Sequence, residues 1–410
     1  MRRSITLTLL VVCLASLSCR LLSNGQGTGA PAAENTLFTG QALIDSNHNR
    51  KPDAGDQPLQ NAIFLVGGYA GYTDANGSVQ VALPGLWDEP VTAQMLPPAG
   101  SDYTLIGPDE VTLQAEGLTR AEFLFATPEG GSATGKQPGP KPGSIETDLT
   151  YCTAPDGTPL KMDVYYPKQM SAPAPAIVYI HGGGWVRGDK KEGAGMLFFP
   201  ALQKAGYIMV AVNYRLAPDY KFPAPIEDVK CAIRHLRANS TRYNLDPGRI
   251  GALGGSAGGH IAALLGLADA SAGWDVGAYP EQSSRVGAVV DLFGPSDLVQ
   301  LFKDDPKPSA SWSILGAKGA RDPLLSVFSP VTYITPDDPP FLLLHGNEDT
   351  EVPPEQSQIL YDQLQAAGVP AELVWVKNAG HSFQPTGGKL DPSLAELSKI
   401  VTAFFERYLP

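Results

Sequence analysis

The chain has 410 residues, of which 43% are hydrophobic and 18% are charged, and its formal net charge at pH 7 is −12. A chain of this length can bury a large core and predicts two or three folding units. Nucleic-acid binding depends on clustered Lys and Arg, and no basic run follows Arg3, so the composition argues against a nucleic-acid partner. The 37 prolines and 44 glycines predict many turns and at least one linker.

The start of the chain has the pattern of an export signal, over residues 1–19. A positive beginning precedes an apolar run over residues 5–17, which is too short to span a bilayer. The sequence Ser-Leu-Ser-Cys at residues 16–19 resembles the processing site of bacterial lipoproteins, although such sites usually have Leu in place of Ser16. The resemblance implies a lipid on Cys19 as the only membrane contact of an exported cell-surface or periplasmic lipoprotein. Two alternatives are ordinary cleavage with secretion, and a Cys19 that merely belongs to the apolar segment.

Composition divides the rest of the chain into four segments. Residues 20–36 are rich in Gly, Ala and small polar residues and predict a flexible tether. Residues 127–145 are dense in Gly and Pro and predict a linker. Between them, residues 37–126 contain short alternating apolar runs, with turn signals such as Ala-Asn-Gly at 75–77, and predict a small antiparallel β-sandwich. Residues 146–410 have a different pattern and form a second folded region.

The loop DSNHNRKPDAGD at residues 45–56 places oxygen atoms at the spacing of an EF-hand calcium loop. Five side chains and the Lys51 carbonyl would supply them, from Asp45, Asn47, Asn49, Lys51, Asp53 and Asp56. Arg50 stands where such loops have Gly, and Asp56 replaces their bidentate Glu. Together with PLQNAIFLV and YTDANGSVQV, the loop resembles the B-type repeats of bacterial surface adhesins, which are prealbumin-like sandwiches. The resemblance implies a structural Ca²⁺; an Asx-rich turn that binds nothing is the alternative.

Residues 146–410 alternate continuous apolar strands with helical patterns. The strands are predicted over residues 176–180, 208–212, 250–253, 288–292, 341–344 and 371–376. This alternation predicts an α/β fold with a largely parallel sheet covered by helices on both faces. Functional side chains of such sheets lie where the strands end.

Two cysteines, Cys152 and Cys231, lie beyond the predicted signal. An oxidising compartment would let them pair, but Cys231 falls within an amphipathic helical pattern over residues 226–236 and is typical of a small buried residue. We therefore expect two free, buried thiols, with a disulfide as the alternative.

A nucleophile is predicted at Ser256, in the spacing Gly-x-Ser-x-Gly between a strand and an apolar helix. A serine hydroxyl needs a base, and the base needs an orienting carboxylate. Asp349 follows one predicted strand, and His381 lies in a loop after the next. The chain order Ser256, Asp349, His381 therefore predicts a catalytic triad, against the alternatives of a small residue in a turn, a loop acid and a surface histidine. His260, one turn beyond Ser256, is expected to be structural.

The glycine-rich stretch HGGGW follows the strand at 176–180 and predicts an oxyanion hole. Glycines let backbone N–H groups turn towards a reacting carbonyl, so Gly183 and Gly184 are expected to act with the Ala257 amide at a helix N-terminus. Trp185 is a candidate wall of the substrate pocket, with core packing as an equal alternative. The segment 295–328 is the only sizeable insertion that could roof the site. Its candidate pocket walls are Leu298, Phe302, Trp312 and Leu315, with a satellite apolar cluster as the alternative.

Residues 149–409 resemble the α/β-hydrolase fold, in the branch of HGGG-type carboxylesterases related to hormone-sensitive lipase and to bacterial acetyl and feruloyl esterases. The phrases that carry the resemblance are LKMDVYYP, VYIHGGGW, VAVNYRLAP, FPAPIEDVKCAIRHLRAN, NLDPGRIGALGGSAGGHIAALLG, HGNEDTEVP and AGHSF. The resemblance implies a serine carboxylesterase that cleaves small acyl esters and uses no organic cofactor. Together with the export predicted from residues 1–19, it favours acetyl or feruloyl groups on polysaccharide. An exopeptidase or an aryl formamidase with the same triad is the first alternative, and a catalytically silent surface binding protein is the second.

Overall fold

The structure, a computed structural model, describes residues 35–47, 49–53, 55–66, 69–74, 76–84, 90–98, 103–108, 110–114, 120–126, 140–170, 173–303, 315–319 and 321–410. The predicted signal with Cys19, nearly all of the tether, most of the linker and Trp312 lie outside these residues. The described part of the chain has no helix that is long and apolar enough to cross a membrane.

The first region is built from two β-sheets. Its strands are β1 (Asn35–Ile44), β2 (Gln57–Pro58), β3 (Ile63–Val66), β4 (Tyr69–Tyr72), β5 (Ser78–Pro84), β6 (Val91–Leu96), β7 (Thr104–Ile106), β8 (Glu110–Leu113) and β9 (Arg120–Ala126). One sheet has the order β2-β1-β9-β7, with β5 also paired to β1, and the other has the order β4-β3-β6-β8. A shared core lies between them and includes Phe38, Phe64, Met95 and Phe123. Alternate residues of β6 are buried, as expected of strands with one face on a core.

One expectation about this region is wrong. The region is the predicted β-sandwich, but it is not wholly antiparallel, because β1 and β9, the first and last strands, pair in parallel, with Gly40 opposite Ala121. The other strand pairs recorded in the two sheets are antiparallel. Alternation of side chains is the same in either direction, so the sequence pattern carries no information on this point.

The second region contains one sheet of eight strands, and the predicted mostly parallel sheet is confirmed. The strands are β10 (Ile145–Thr153), β11 (Pro159–Tyr165), β12 (Ala174–Ile180), β13 (Ile208–Val212), β14 (Leu245–Gly255), β15 (Val289–Leu292), β16 (Phe341–Gly346) and β17 (Ala371–Val376). Their order is β10-β11-β13-β12-β14-β15-β16-β17, and pairing is parallel from β13 to β17. The strands β10 and β11 pair antiparallel with their neighbours.

Helices cover both faces of this sheet, which is why its central strands are apolar without alternation. The helices are α1 (Phe199–Lys204), α2 (Ala224–Ala238), α3 (Ser240–Tyr243), α4 (Ala257–Leu267), α5 (Leu298–Phe302), α6 (Pro323–Val327), α7 (Glu355–Ala367) and α8 (Leu394–Tyr408). Residues of α2, α4 and α7 pack on one face, and residues of α1 and α8 pack on the other. All seven residues of β12 are buried. Helix α4 is fully buried, and apart from His260 its residues are apolar or glycine, so it fixes the position of the residue before it.

The expectation of two free thiols is also wrong, because Cys152 and Cys231 form a disulfide with Cα atoms 6.4 Å apart. The helical pattern correctly placed Cys231 on the buried face of α2. That face covers β10, where Cys152 is itself 1% exposed. Burial alone does not distinguish a thiol from a disulfide, so only the tertiary arrangement shows the pair.

Among the described residues, two hydrogen bonds join the regions. The Tyr72 hydroxyl donates to the Thr153 carbonyl, and the Tyr279 amide donates to the Asn61 side chain at 3.2 Å. The first region therefore contacts the second at β10 and at the loop before β15. The boundaries assigned to the segments from composition stay predictions.

Candidate active site

The turn from β14 to α4 holds Ser256 in a strained conformation, with φ 56° and ψ −123°. This backbone region is uncommon for any residue but glycine, and such outliers concentrate at functional sites. A Cβ on Gly254 would lie 2.1 Å from the Gly258 carbonyl, and a Cβ on Gly258 would lie 2.2 Å from the Ile180 carbonyl. The Ser256 amide donates to the Leu292 carbonyl at 2.9 Å. The flanking glycines are therefore required by close packing, and β15 supports the turn.

Three residues that are distant in sequence meet at this turn. Ser256 Oγ lies 3.0 Å from His381 Nε2, and His381 Nδ1 lies 2.7 Å from Asp349 Oδ2. The Asp349 carboxylate is a pure acceptor, so the bonding pattern assigns the proton to Nδ1 and leaves Nε2 free to accept from the serine hydroxyl. The structure thus brings together the three residues predicted as a triad.

The environment of Asp349 keeps its carboxylate ionised. Burial raises the pKa of Asp349, but hydrogen bonding from His345 and His381 and from the Val352 amide lowers it by more, so the pKa lies below its ordinary value. The amides of Glu351 and Val352 donate to its second oxygen at 2.9 and 3.0 Å. A fixed negative charge behind His381 favours the imidazolium that forms when the ring accepts a proton.

Sequence reasoning missed His345, which lies at the end of β16 four residues before Asp349. Its side chain is fully buried, and its Nε2 lies 2.9 Å from the Val352 carbonyl and 3.4 Å from Asp349 Oδ2. The Ser357 hydroxyl lies 2.7 Å from the other ring nitrogen. His345 therefore ties the Asp349 loop to both β16 and α7. The signal available in the sequence was a histidine directly at a strand end, beside the predicted acid.

The loop after β12 supplies backbone donors beside Ser256. Gly183 and Gly184 have φ values of 107° and 61°, and a Cβ on Gly183 would lie 2.1 Å from the Arg187 carbonyl. The loop runs against the nucleophile turn, since a Cβ on Gly182 would lie 3.4 Å from that of Ser256. Among the described residues, no carbonyl accepts from the amides of Gly183, Gly184 or Ala257. Uncommitted N–H groups of this kind suit a developing oxyanion, and the hole formed by them stays a prediction.

Polar residues that follow β13 hold the glycine-rich loop after β12 in place. The His181 ring stacks on Tyr214 with centroids 4.4 Å apart, and the Tyr214 hydroxyl donates to the His181 carbonyl at 3.0 Å. The Asn213 side chain accepts from the Lys190 amide at 2.6 Å and donates to Asp189 at 2.9 Å. Because both Tyr214 and Asn213 follow β13, the neighbouring strand sets the position of the glycines.

Trp185 lies in the core rather than beside open space. It is 6% exposed, and its indole N–H donates to His260 Nδ1 at 3.3 Å. The His260 Nε2 lies 2.7 Å from the Phe328 carbonyl, to which it donates, and burial lowers the pKa of His260 to about 4. A neutral His260 thus joins the glycine loop, α4 and the end of the 295–328 segment. This arrangement favours the packing alternative for Trp185 and accords with the structural role expected of His260.

Three of the candidate pocket walls in the 295–328 segment are buried in the core. Leu298, Phe302 and Leu315 are between 0% and 9% exposed and belong to the main core cluster, so they form part of the fold instead of an open wall. Asp297 caps α5 by accepting from the Gln300 amide at 2.9 Å.

The 45–56 loop has a conformation that fits the predicted calcium site in one respect. Arg50 has φ 61°, the left-handed conformation that EF-hand loops obtain from Gly at this place. Both oxygens of Asp45 accept backbone amides of the loop, from Asn49 at 3.1 Å and Arg50 at 2.9 Å. In the described part of the chain, no three His, Cys, Asp or Glu side chains are grouped so as to hold a metal. The oxygen-rich donor set suits a hard cation, and the calcium site stays a prediction.

Comparison with known proteins adds one family match, one curated relative and two solved structures. The BD-FAE family model matches residues 162–364. The probable carboxylic ester hydrolase LipM of Mycobacterium tuberculosis is 32% identical over 293 residues, which cover 67% of this chain and 65% of that protein. A solved structure of a truncated carbohydrate esterase from gut microbiota is 30% identical with a TM-score of 0.55, covering 66% of this chain and 100% of that chain.

A second solved structure, the thermophilic esterase Est2 of Thermogutta terrifontis, is 26% identical with a TM-score of 0.51. The match covers 64% of this chain and 91% of that chain. The chain spans between 50% and 65% of the length of the first three curated relatives that it matches.

Proposed function

Because the chain belongs to the α/β-hydrolase family of carboxylic ester hydrolases, we propose that it is a serine carboxylesterase that cleaves short acyl esters through an acyl-enzyme. The observation that carries the proposal is the continuous line of hydrogen bonds from Ser256 through His381 to Asp349. A hydroxyl, a base and an orienting carboxylate in this order can perform nucleophilic acyl transfer.

In the first half of the reaction, His381 Nε2 accepts the proton of Ser256 as Oγ attacks the ester carbonyl. Asp349 holds the ring and stabilises the imidazolium. The amides of Gly183, Gly184 and Ala257 donate to the oxyanion, and loss of one such donor costs about 3 kcal/mol of transition-state stabilisation in other enzymes. His381 then gives its proton to the leaving alcohol. In the second half, water replaces the alcohol, and the same steps release the acid and restore Ser256.

The substrates we propose are acetyl or feruloyl-type esters, including those on polysaccharide. The BD-FAE match and the similarity to a solved carbohydrate esterase support this choice. Export as a lipoprotein, with a lipid on Cys19, is supported by the pattern of residues 1–19. At the cell surface, the first region would act as a spacer or docking module, with Ca²⁺ in its 45–56 loop.

A chain-length series of p-nitrophenyl esters, from acetate to decanoate, tests the proposed reaction in the wild type and the Ser256→Ala variant. We expect rapid turnover of acetate and butyrate that is lost in the variant. Turnover that survives the loss of Ser256 would remove the nucleophile, and no turnover by the wild type would favour the silent binding protein. Parallel assays with aminoacyl anilides and N-formylkynurenine cover the exopeptidase and formamidase alternatives.

A further inference from the structure

A second carboxylate lies beside the reacting end of His381. Glu351 Oε2 is 3.9 Å from His381 Nε2, the nitrogen that faces Ser256. The Glu351 side chain is 74% exposed, whereas that of Asp349 is fully buried. The Glu351 amide donates to the Asp349 side chain at 2.9 Å, and this bond fixes the backbone of Glu351 in the loop that follows β16. Glu351 thus presents an acceptor on the solvent side of the base, where substrate must enter.

Among the described residues, the Glu351 carboxylate has no partner besides His381. No Lys or Arg of these residues lies within ion-pair distance of it, and it lies 3.9 Å from the His381 ring. An exposed carboxylate retains its hydration until a better donor displaces the water. It is therefore available to a hydroxyl of the substrate.

The position of Glu351 beside His381 Nε2 brings its carboxylate close to the alcohol part of the bound ester. His381 Nε2 must donate to the leaving oxygen, so this oxygen lies about 3 Å from the nitrogen when the acyl-enzyme forms. Oε2 is close to the same nitrogen, and hydroxyl-to-carboxylate bonds are about 2.5–2.7 Å long. A hydroxyl on the carbon next to the esterified carbon can therefore reach Glu351 while the leaving oxygen stays on His381.

We propose that Glu351 is a specificity-determining residue that accepts a hydrogen bond from a hydroxyl adjacent to the esterified oxygen. The enzyme would then prefer esters of polyols, such as partly acetylated sugars, over esters of alcohols that lack this hydroxyl. This inference rests on the proposed esterase function and names the class of alcohol that the same site takes.

The test compares Glu351→Ala and Glu351→Gln with the control Glu348→Ala. Glu348 is an exposed acid of the same loop for which no contact with His381 is recorded. The substrates are methyl 2-O-acetyl-xyloside, its 3-O-methyl analogue without the adjacent donor, and p-nitrophenyl acetate. We expect Glu351→Ala to lower kcat/KM for the first substrate about tenfold, as for loss of a hydrogen bond to a charged group. Glu351→Gln keeps a neutral acceptor, so its kcat/KM should lie between those of the wild type and Glu351→Ala.

For the other two substrates, kcat/KM should change by less than about twofold in every variant. Glu348→Ala should have the kcat/KM of the wild type on all three substrates. An equal loss on p-nitrophenyl acetate would overturn the proposal, because Glu351 would then act through His381. Equal rates of wild type and Glu351→Ala on the xyloside would overturn it as well. If the wild type turns over p-nitrophenyl acetate, either result refutes only the role of Glu351. If the wild type does not turn over this ester, the esterase function is itself refuted, and the role of Glu351 with it.

Discussion

Residue spacing predicted both the catalytic site at Ser256 and the calcium site in the 45–56 loop. The two sites differ in how the fold brings their residues together. Ser256 and His381 are separated by 125 positions, yet they come within 3.0 Å. The polar residues of the 45–56 loop are neighbours in sequence and largely bond to their own backbone. Proximity of distant residues requires the whole fold, whereas proximity within a short loop is expected of any Asx-rich turn. Tertiary structure therefore supports the first site, whereas the second is supported by sequence pattern and by the local conformation of its own loop.

Asp349→Asn should give the largest effect in the second region. The amide offers a donor where His381 needs an acceptor, so the ring loses the tautomer that activates Ser256. We expect kcat for p-nitrophenyl acetate to fall by about 10⁴, the size seen for this change in another triad. Steady-state kinetics measure it, with Asp362→Asn on the surface of α7 as the control. A loss smaller than tenfold would show that the convergence at Ser256 does not produce the activity.

The disulfide should make the second region sensitive to reductant. Cys152 and Cys231 are 79 residues apart, so the bond constrains a long loop of the unfolded chain. We expect Cys152→Ser with Cys231→Ser to lower the free energy of unfolding by about 2–4 kcal/mol. Denaturant unfolding with and without dithiothreitol measures this change. Dithiothreitol should destabilise the wild type and leave the double variant unchanged; equal sensitivity of both would mean that the thiols are free.

Asp291, at the end of β15, should make the stability of the second region depend on pH. Burial raises the pKa of Asp291 to about 7, and one of its oxygens has no hydrogen-bond partner among the described residues. The folded state holds the proton between about pH 4 and 7 and the unfolded state does not, so stability falls as pH rises across this range. Asp291→Asn should remove this fall and add on the order of 1–4 kcal/mol at pH 8. Urea unfolding at pH 5 and pH 8 tests it, and a variant with the pH dependence of the wild type would refute it.

Calcium should have the smallest effect, confined to the first region. If the 45–56 loop binds the ion, saturating Ca²⁺ added to EDTA-treated protein stabilises the folded state by about 1–3 kcal/mol. Asp45→Asn, which removes a carboxylate from the first place of the loop, should abolish this gain. Calorimetry with CaCl₂ or MgCl₂ separates specific binding from a salt effect. An unchanged unfolding temperature would leave the loop as an Asx-rich turn.

Local patterns predicted much of the second region because its fold and its site are encoded in short segments. The apolar runs at 176–180 and 208–212 are strands, and Gly254 and Gly258 on either side of Ser256 occupy positions that no Cβ can enter. The features that the sequence did not predict depend on which elements pack against each other in the fold. The disulfide, the parallel pairing of β1 with β9 and the contacts of His345 all follow from tertiary packing.

The position of Glu351 shows the same limit at the site itself. In the sequence it is one of several acids after a strand, and only the folded loop separates its exposed carboxylate from the buried one of Asp349. Residue type and spacing thus predicted the reacting groups, while the groups that select a substrate required the structure.

Labelling with a fluorophosphonate probe, followed by mass spectrometry of the peptides, tests whether Ser256 is the nucleophile, because the probe reacts with an activated serine. We expect one adduct, on the peptide that contains Ser256, with none in Ser256→Ala and much slower labelling in His381→Ala. An unlabelled folded wild type, or an adduct on a different serine, would contradict it.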